Sequence, residues 1–389
     1  MTCPQRLRAS TPSNSNQAER YSRHTLLPEV GVAGQRKLAA ARVLVVGAGG
    51  LAAPVVSYLA GAGIGRLTVI DDDTVELSNL HRQVIHRTAD VGVAKVDSAV
   101  RAAGELNPDI EVVGVEQRLT ADNALELFAD HDVIVDATDN FATRYLVNDA
   151  CVLLGLPLVW SSINRFDGQV TVWGYDESPC YRCIFPTAPP PGMIPSCAEA
   201  GVVGSLPGVM GSIQATETVK LILGVGEPLA GRIQVHDALA GTWATVPVVR
   251  DPECAVCGDH PSITVLRDED VSCGLPVPEP VPTIGARELA DLIEAGRAPL
   301  LVDVRSSAER DIVTLPGGDI HVQVEGLRDG SALDAVADLD EDAIFYCLSG
   351  IRSAEAVRLV AAATGVRARS LAGGLHAWID EVDPSLPRY

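Results

Sequence analysis

The 389-residue chain has no unbroken apolar run of about 18 residues, so it offers no helix-length membrane span. Positive charge is scarce as well: 30 Lys and Arg stand against 51 Asp and Glu, a formal net charge of −21. An acidic surface of that size repels phosphate backbones and anionic headgroups, which excludes nucleic acid and membrane as general partners. The first residues, MTCPQRLRASTPSNSNQ, lack the apolar stretch of a secretory signal and read as a disordered polar lead-in over 1–17. No internal repeat is present, and these absences together predict a cytoplasmic protein.

What is present is a long α/β pattern. Hydrophobic residues make up 47% of the chain, and its length exceeds a usual single core, so two domains are expected. From Arg42 short apolar strands alternate with amphipathic helices: RVLVVG, RLTVID, EVVGVE, DVIVDATD and PLVWSS are strands, with helices near 93–106 and 141–154. This alternation predicts a parallel, doubly wound, Rossmann-like sheet over 18–270. The segment from Cys180 to about Leu206 breaks the rhythm with FPTAPPPGMIP, too proline-rich for a helix or central strand, and predicts a functional loop. Four prolines between Gly274 and Gly285 mark a linker over 271–282. Beyond it, 283–389 repeats the rhythm as a second, small α/β domain.

Gly47-Ala48-Gly49-Gly50-Leu51-Ala52 follows the first strand and opens a helix, so backbone N–H groups and the positive helix end can approach phosphate. Asp71 ends the next strand, where a carboxylate can hold ribose hydroxyls. This pair suits ATP and NAD alike. The residues that follow break the tie: Ser78-Asn79-Leu80-His81-Arg82 and Gly92-Val93-Ala94-Lys95 bring Asn, Arg and Lys near the turn, a set that neutralises a triphosphate. Ala137-Thr138-Asp139-Asn140 ends another strand and puts the Asp139 carboxylate at the ligand-binding edge, a position suited to Mg²⁺.

GAGGL, DDDTVELSNLHRQ, GVAK and ATDN, in this order, resemble the ubiquitin-activating superfamily in its MoeB/ThiF branch, over about 18–262. The resemblance implies that ATP is bound by Gly47, Gly49, Gly50, Ser78, Asn79, Leu80, His81 and Asn140. It makes Asp71 the ribose ligand, Arg82 and Lys95 phosphate contacts, and Asp139 the Mg²⁺ ligand. Arg23 resembles the arginine that this family lends across a homodimer interface to the neighbouring ATP site. Ala52 stands where the family often has a third glycine.

Cys180-Tyr181-Arg182-Cys183 and Cys254-Ala255-Val256-Cys257 form a split four-cysteine set. Four thiolates suit tetrahedral Zn²⁺ with no open position, a structural site, and the pairs match the family's zinc positions. Cys197, inside the proline-rich loop, resembles the family's loop cysteine, which in several members forms a thioester or acyl disulfide with a carrier protein. Cys3, Cys151 and Cys273 carry no expected role.

In the second domain Phe345-Tyr346-Cys347-Leu348-Ser349-Gly350-Ile351-Arg352 places a cysteine between a strand and a helix. A loop of this kind aims N–H groups and the helix dipole at sulfur, which stabilises a thiolate or persulfide. With Leu301-Val302-Asp303-Val304-Arg305, Leu315-Pro316-Gly317-Gly318 and Leu371-Ala372-Gly373-Gly374-Leu375-His376-Ala377-Trp378, it resembles a rhodanese domain. Cys347 is then the persulfide carrier, while Asp303 and Arg305 organise the fold. Leu348 departs from the basic residue often found there, and no His precedes the Pro-Gly pair, so thiosulfate is expected to bind weakly beside a persulfidated desulfurase.

The fused order resembles the MoeZ-like sulfurtransferases of molybdopterin and related pathways. It implies ATP-dependent adenylation of a ubiquitin-like sulfur carrier ending in Gly-Gly, followed by sulfur transfer to give a thiocarboxylate. A carrier for thiamine, cysteine, tRNA thiolation or natural-product sulfur incorporation is the alternative. An NAD-dependent oxidoreductase is the rival of another class.

Overall fold

The computed structural model describes residues 15–188, 201–268, 280–337, 339 and 342–388. The chain divides into two compact units, Met1–Cys273 and Gly274–Tyr389. Among the described residues no helix is long and apolar enough to cross a membrane.

The first unit opens with α1 (Ser15–Arg20), α2 (Ser22–Thr25) and α3 (Gly31–Ala40). Its sheet contains β1 (Arg42–Val46), β2 (Arg66–Ile70), β3 (Glu111–Val115), β4 (Val133–Asp136), β5 (Leu158–Asn164), β6 (Asp167–Trp173), β7 (Arg232–Asp237) and β8 (Thr242–Pro247). Between them run α4 (Ala52–Ala62), α5 (Lys95–Leu106), α6 (Ala124–Phe128), α7 (Phe141–Leu154), α8 (Tyr181–Ile184) and α9 (Leu206–Leu223). The strand order is β3-β2-β1-β4-β5-β6-β7-β8.

Successive strand side chains point to opposite faces, and both faces of this sheet are covered. Val43 and Val45 join the core under α4, α5 and α9, while Leu44 and Val46 join the core under α6 and α7. That is the doubly wound arrangement. The expected parallel sheet is corrected in one respect: only β3-β2-β1-β4-β5 are mutually parallel, and β6, β7 and β8 continue the sheet as an antiparallel meander. The reason is local, because β5 and β6 are separated by only Arg165 and Phe166, too short for the crossover that a parallel pair requires.

The parallel strands bring their C-terminal ends to one edge, and the order reverses between β1 and β4. Open α/β sheets bind ligands at such a switch point. On the same unit Tyr21 fastens the N-terminal helices: its hydroxyl accepts from Asn107 Nδ2 at 2.8 Å, and Arg20 donates to the Leu106 carbonyl at 2.9 Å. This holds α2, and Arg23 with it, to the end of α5.

The second unit is a five-stranded parallel sheet of order β11-β10-β12-β13-β9. Its strands are β9 (Thr283–Ile284), β10 (Leu301–Asp303), β11 (Asp319–His321), β12 (Ile344–Tyr346) and β13 (Arg369–Leu371). Its helices are α10 (Ala286–Glu294), α11 (Ser307–Arg310), α12 (Val324–Arg328), α13 (Ile351–Thr364) and α14 (Gly374–Glu381). Ile344 and Tyr346 pack with Leu289, Leu375 and Trp378 on one face; Phe345 packs with Val324, Val357 and Val360 on the other. Asp303 and Arg305 are fully buried against each other, with Nη2–Oδ2 at 2.6 Å, and Arg305 also donates to the Val313 carbonyl at 2.7 Å. A buried charge is tolerated only when paired and hydrogen-bonded, so this pair ties the chain after β10 to the segment before β11.

Candidate functional site

A cleft of about 320 Å³ opens at the switch point of the first unit, a volume within the range of small-molecule sites. Gly47, Gly49 and Gly50 form one wall, Asp71 the end of β2, and Ala137–Asn140 the end of β4. Arg82 and Lys95 reach the same space. Gly47 has φ +97°, and a Cβ there would stand 2.9 Å from the Ala137 carbonyl oxygen. Only glycine lets the β1 turn close onto the end of β4 in this way.

Asp71 accepts from Ala48 N at 2.7 Å and from Asp73 N at 2.8 Å. Burial pushes its carboxyl above the usual range, and the Lys95 ammonium pulls it back. Lys95 pairs with Asp73 at 2.7 Å and is itself buried. The cleft thus holds Lys95 against a row of carboxylates, Asp71, Asp72 and Asp73. Asp139 and Asn140 are exposed at its edge, and Asn140 caps α7 by accepting from Thr143 N at 2.9 Å.

Ser78, Asn79, Leu80 and His81 lie beside the cleft and do not line it. They form a short turn that closes on itself: Asn79 Oδ1 accepts from Glu76 N at 3.2 Å, and the Ser78 carbonyl accepts from Arg82 Nη1 at 3.1 Å. The turn holds Arg82 in place. Arg23 is exposed on α2 and does not enter the cleft of its own chain. Gln117, Arg118 and Thr143 also line the cleft and carried no sequence signal of their own, while Gln83 and Thr138 line it from within two of the motifs. Gln117 and Arg118 follow β3 and reach the cleft because β3 pairs with β2.

The four cysteines converge. Sγ–Sγ distances are 3.9 Å for Cys180–Cys183, 3.6 Å for Cys180–Cys254 and 3.3 Å for Cys183–Cys257. A tetrahedron with Zn–S bonds of about 2.3 Å has edges of roughly 3.8 Å, so the cluster fits a zinc ion. Hydrogen bonds from Cys180 and Cys257 push the Cys183 thiol well below its usual range, while Cys180 is pushed up. Below the cluster, Arg182 grips Asp149 of α7 with bonds of 2.8 Å, both side chains buried, and Tyr181 N donates to Asn148 Oδ1 at 2.8 Å. The cluster is thereby fastened to the helix that Asn140 caps. Cys197 lies outside the described residues.

In the second unit Cys347 follows β12 and is fully buried. Its Sγ accepts from Gly350 N at 3.1 Å and Ser353 N at 3.4 Å. Gly350 has φ +91°, and a Cβ there would meet Gly373 N at 3.1 Å, which is why the loop needs glycine. The Leu375 and His376 amides at the start of α14 hold the Cys347 and Leu348 carbonyls at 2.9 and 3.0 Å. Arg352 is clasped by Glu309 through bonds of 2.8 and 2.6 Å.

The ThiF family model matches residues 21–256 and the rhodanese-like domain model matches 285–381. The chain is 44% identical to the adenylyltransferase and sulfurtransferase MOCS3 of Anopheles gambiae, covering 97% of this chain and 90% of the relative. It is 45% identical to the probable adenylyltransferase/sulfurtransferase MoeZ of Mycobacterium tuberculosis, with 95% of each covered. A sulfur carrier protein adenylyltransferase of Thermus thermophilus is 52% identical over 66% of this chain and 97% of its own. A crystal structure of E. coli MccB with ATP shares the fold alone, at 24% identity and a TM-score of 0.53 over 61% of this chain and 74% of that one. A nucleotide-type cleft in one unit and an amide-lined cysteine loop in the other are what this pairing of domains demands, and the chain belongs to the ThiF family, in the branch that joins an adenylyltransferase to a rhodanese-like sulfurtransferase.

Proposed function

We propose that the first unit adenylates the C-terminal Gly-Gly carboxylate of a ubiquitin-like sulfur carrier and that Cys347 supplies the sulfur. The observation that carries this reading is the pairing, in one chain, of a switch-point cleft bearing Arg82 and Lys95 with a cysteine whose sulfur accepts two backbone N–H groups. The Gly47–Gly50 turn, Arg82 and Lys95 hold the triphosphate, Asp71 the ribose, and Asp139 a magnesium ion, which screens phosphate charge when bound. Ser78–His81 support this set from the neighbouring turn. Arg23 is lent to a second copy of the chain; the exposed Leu26, Leu27 and Val32 that follow it in sequence support a homodimer.

The carrier carboxylate attacks the α-phosphate, releasing pyrophosphate and leaving an acyl-adenylate. A persulfide on Cys347 then attacks the acyl carbon: a C–S bond forms, the C–O bond to AMP breaks, and AMP leaves. The resulting acyl disulfide is cleaved by an external thiol; Cys197 keeps the role the resemblance implies, a covalent thioester or acyl disulfide with the carrier. The external thiol becomes disulfide-bonded as the thiocarboxylate departs, so the two electrons come from thiol sulfur. Gly350 N–H and Ser353 N–H face Cys347 Sγ and stabilise it wherever it carries charge as a thiolate.

The donor is a protein persulfide in preference to thiosulfate. A dianion needs a cation at the loop mouth, and here Glu309 already clasps Arg352 while Leu348 replaces a basic side chain. Molybdopterin synthesis is the pathway that the resemblance implies. The test is ATP–pyrophosphate exchange with a panel of Gly-Gly-ending carriers, followed by mass spectrometry of each carrier with thiosulfate or a persulfidated desulfurase as donor. Exchange on one carrier, and a mass gain equal to sulfur replacing oxygen with the desulfurase, is expected. Exchange without any mass gain would remove the sulfurtransfer half, and fast turnover with thiosulfate would remove the donor assignment.

The four-cysteine cluster binds zinc structurally. Cys254→Ser leaves three ligands, so the purified protein should lose its zinc and unfold at a lower temperature, with the second unit's melting unaltered. Unchanged zinc content by elemental analysis would rule out this cluster as the site.

A further inference from the structure

His86 lies behind the glycine turn, 6% exposed, and none of the roles above uses it. Its Nε2 stands 2.9 Å from the Ala48 carbonyl oxygen, and its Nδ1 stands 2.9 Å from Ser98 Oγ. Ser98 Oγ is 2.7 Å from Asp90 Oδ2, and Asp90 is held in turn by Arg101 and by Arg87 N at 3.0 Å. Ser98 and Asp90 are both buried. A chain of five groups therefore runs from the glycine turn to the partly exposed Arg101.

We propose that His86 is a positioning residue for the nucleotide, which fixes the Ala48–Gly49 peptide so that the Gly49 N–H faces the phosphates. This rests on the reading of the cleft as an ATP site. The peptide unit is planar and trans, so its C=O and N–H point in opposite directions. Holding the Ala48 carbonyl on the His86 side sends the Gly49 N–H to the other side, and Gly49 lines the cleft. Gly49 N–H meets no acceptor among the described residues, which leaves it available to a ligand. The preceding peptide is pinned as well, because Ala48 N donates to Asp71 Oδ2.

A clamp is needed here because of the glycines. Rotating the Ala48–Gly49 peptide changes φ of Gly49, and glycine accepts almost any φ. A turn with the freedom to close around phosphate also has the freedom to turn its N–H away. His86 removes that second freedom. The Ala48 carbonyl can only accept, so Nε2 carries a proton. Burial lowers the pKa of the ring; the Ala48 contact, Asp90 and Asp71 act against this, and Lys95 with it. Ser98 has one hydroxyl proton and gives it to Asp90 Oδ2, so the contact with Nδ1 uses the Ser98 oxygen as acceptor.

The test compares the full-length protein with its His86→Phe, His86→Gln and Ser98→Ala variants in ATP–pyrophosphate exchange. His86→Phe should raise KM for ATP about tenfold or more with a smaller change in kcat, as loss of one aimed donor implies. His86→Gln, which can still donate to Ala48, should stay within about threefold of wild type, and Ser98→Ala should raise KM a few-fold. Sulfur loading of Cys347 serves as the folding control for the rest of the chain. Equal KM in all four proteins overturns the inference, and so does equal damage from Phe and Gln, which would mean that only ring shape matters. If His86→Phe fails to fold, Ser98→Ala decides alone, an unchanged KM overturning it. Wild-type protein that shows no exchange removes the nucleotide reading itself, a result distinct from failure of the variants.

Discussion

Cys347→Ser should abolish thiocarboxylate formation while ATP–pyrophosphate exchange stays within about twofold of wild type, because nucleophile and nucleotide cleft have separate tasks. Serine is close in size to cysteine, and the Gly350 and Ser353 amides that face the sulfur remain in place. The site keeps its shape and loses only the atom that carries the second sulfur. Oxygen forms no persulfide under these conditions, so the expected loss is about 10³-fold or more, down to the background of the assay. The nucleotide cleft belongs to the other compact unit, with its own core, and has no reason to change. Mass spectrometry of the carrier checks the first half and isotope exchange the second. Wild-type rates of sulfuration would mean that sulfur reaches the acyl-adenylate by another route.

Lys95→Ala is the counterpart in the first unit, and it should lower exchange by about 10²- to 10³-fold. Two effects act together. The triphosphate loses a cation at the cleft, and three successive carboxylates, Asp71 to Asp73, lose the ammonium that offsets them. Lys95 also holds the Asp71 carboxyl down against burial, so without it Asp71 moves further up and takes a proton more readily. Stability should change little: Asp73, the partner left behind, has a side chain 66% exposed and is hydrated once the pair is broken. A large loss of exchange with an almost unchanged melting temperature therefore separates the binding role from a structural one. Transfer of sulfur onto Cys347 should be unaffected. Near-normal exchange would assign the phosphate contacts to Arg82 and the glycine turn alone.

Much of this site was legible in the residues because its chemistry is written in short, local segments. A glycine turn after a strand, a carboxylate at the end of the next strand and a cysteine between strand and helix each lie within a few positions. The physics of their N–H groups and charges is set by that local backbone. The four cysteines were also legible, as two close pairs of a residue type with one dominant structural use in such a chain. Other features depend on atoms far apart in sequence. Gln117 and Arg118 enter the cleft only because β3 lies beside β2, and the antiparallel meander β6–β8 is decided by how β5 turns back on itself.

By itself, then, the sequence determined the α/β class, the two domains' signature motifs and the residue types that line the cleft, the four-cysteine cluster and the cysteine loop. The tertiary structure alone decided which groups touch. It put Glu309 on Arg352, Arg182 on Asp149 and His86 on the Ala48 carbonyl. Such contacts arise where separate elements pack, and buried polar groups must find partners at whatever sequence distance packing brings them. Composition and spacing say that a charge or an imidazole exists; burial against a particular neighbour decides what it does.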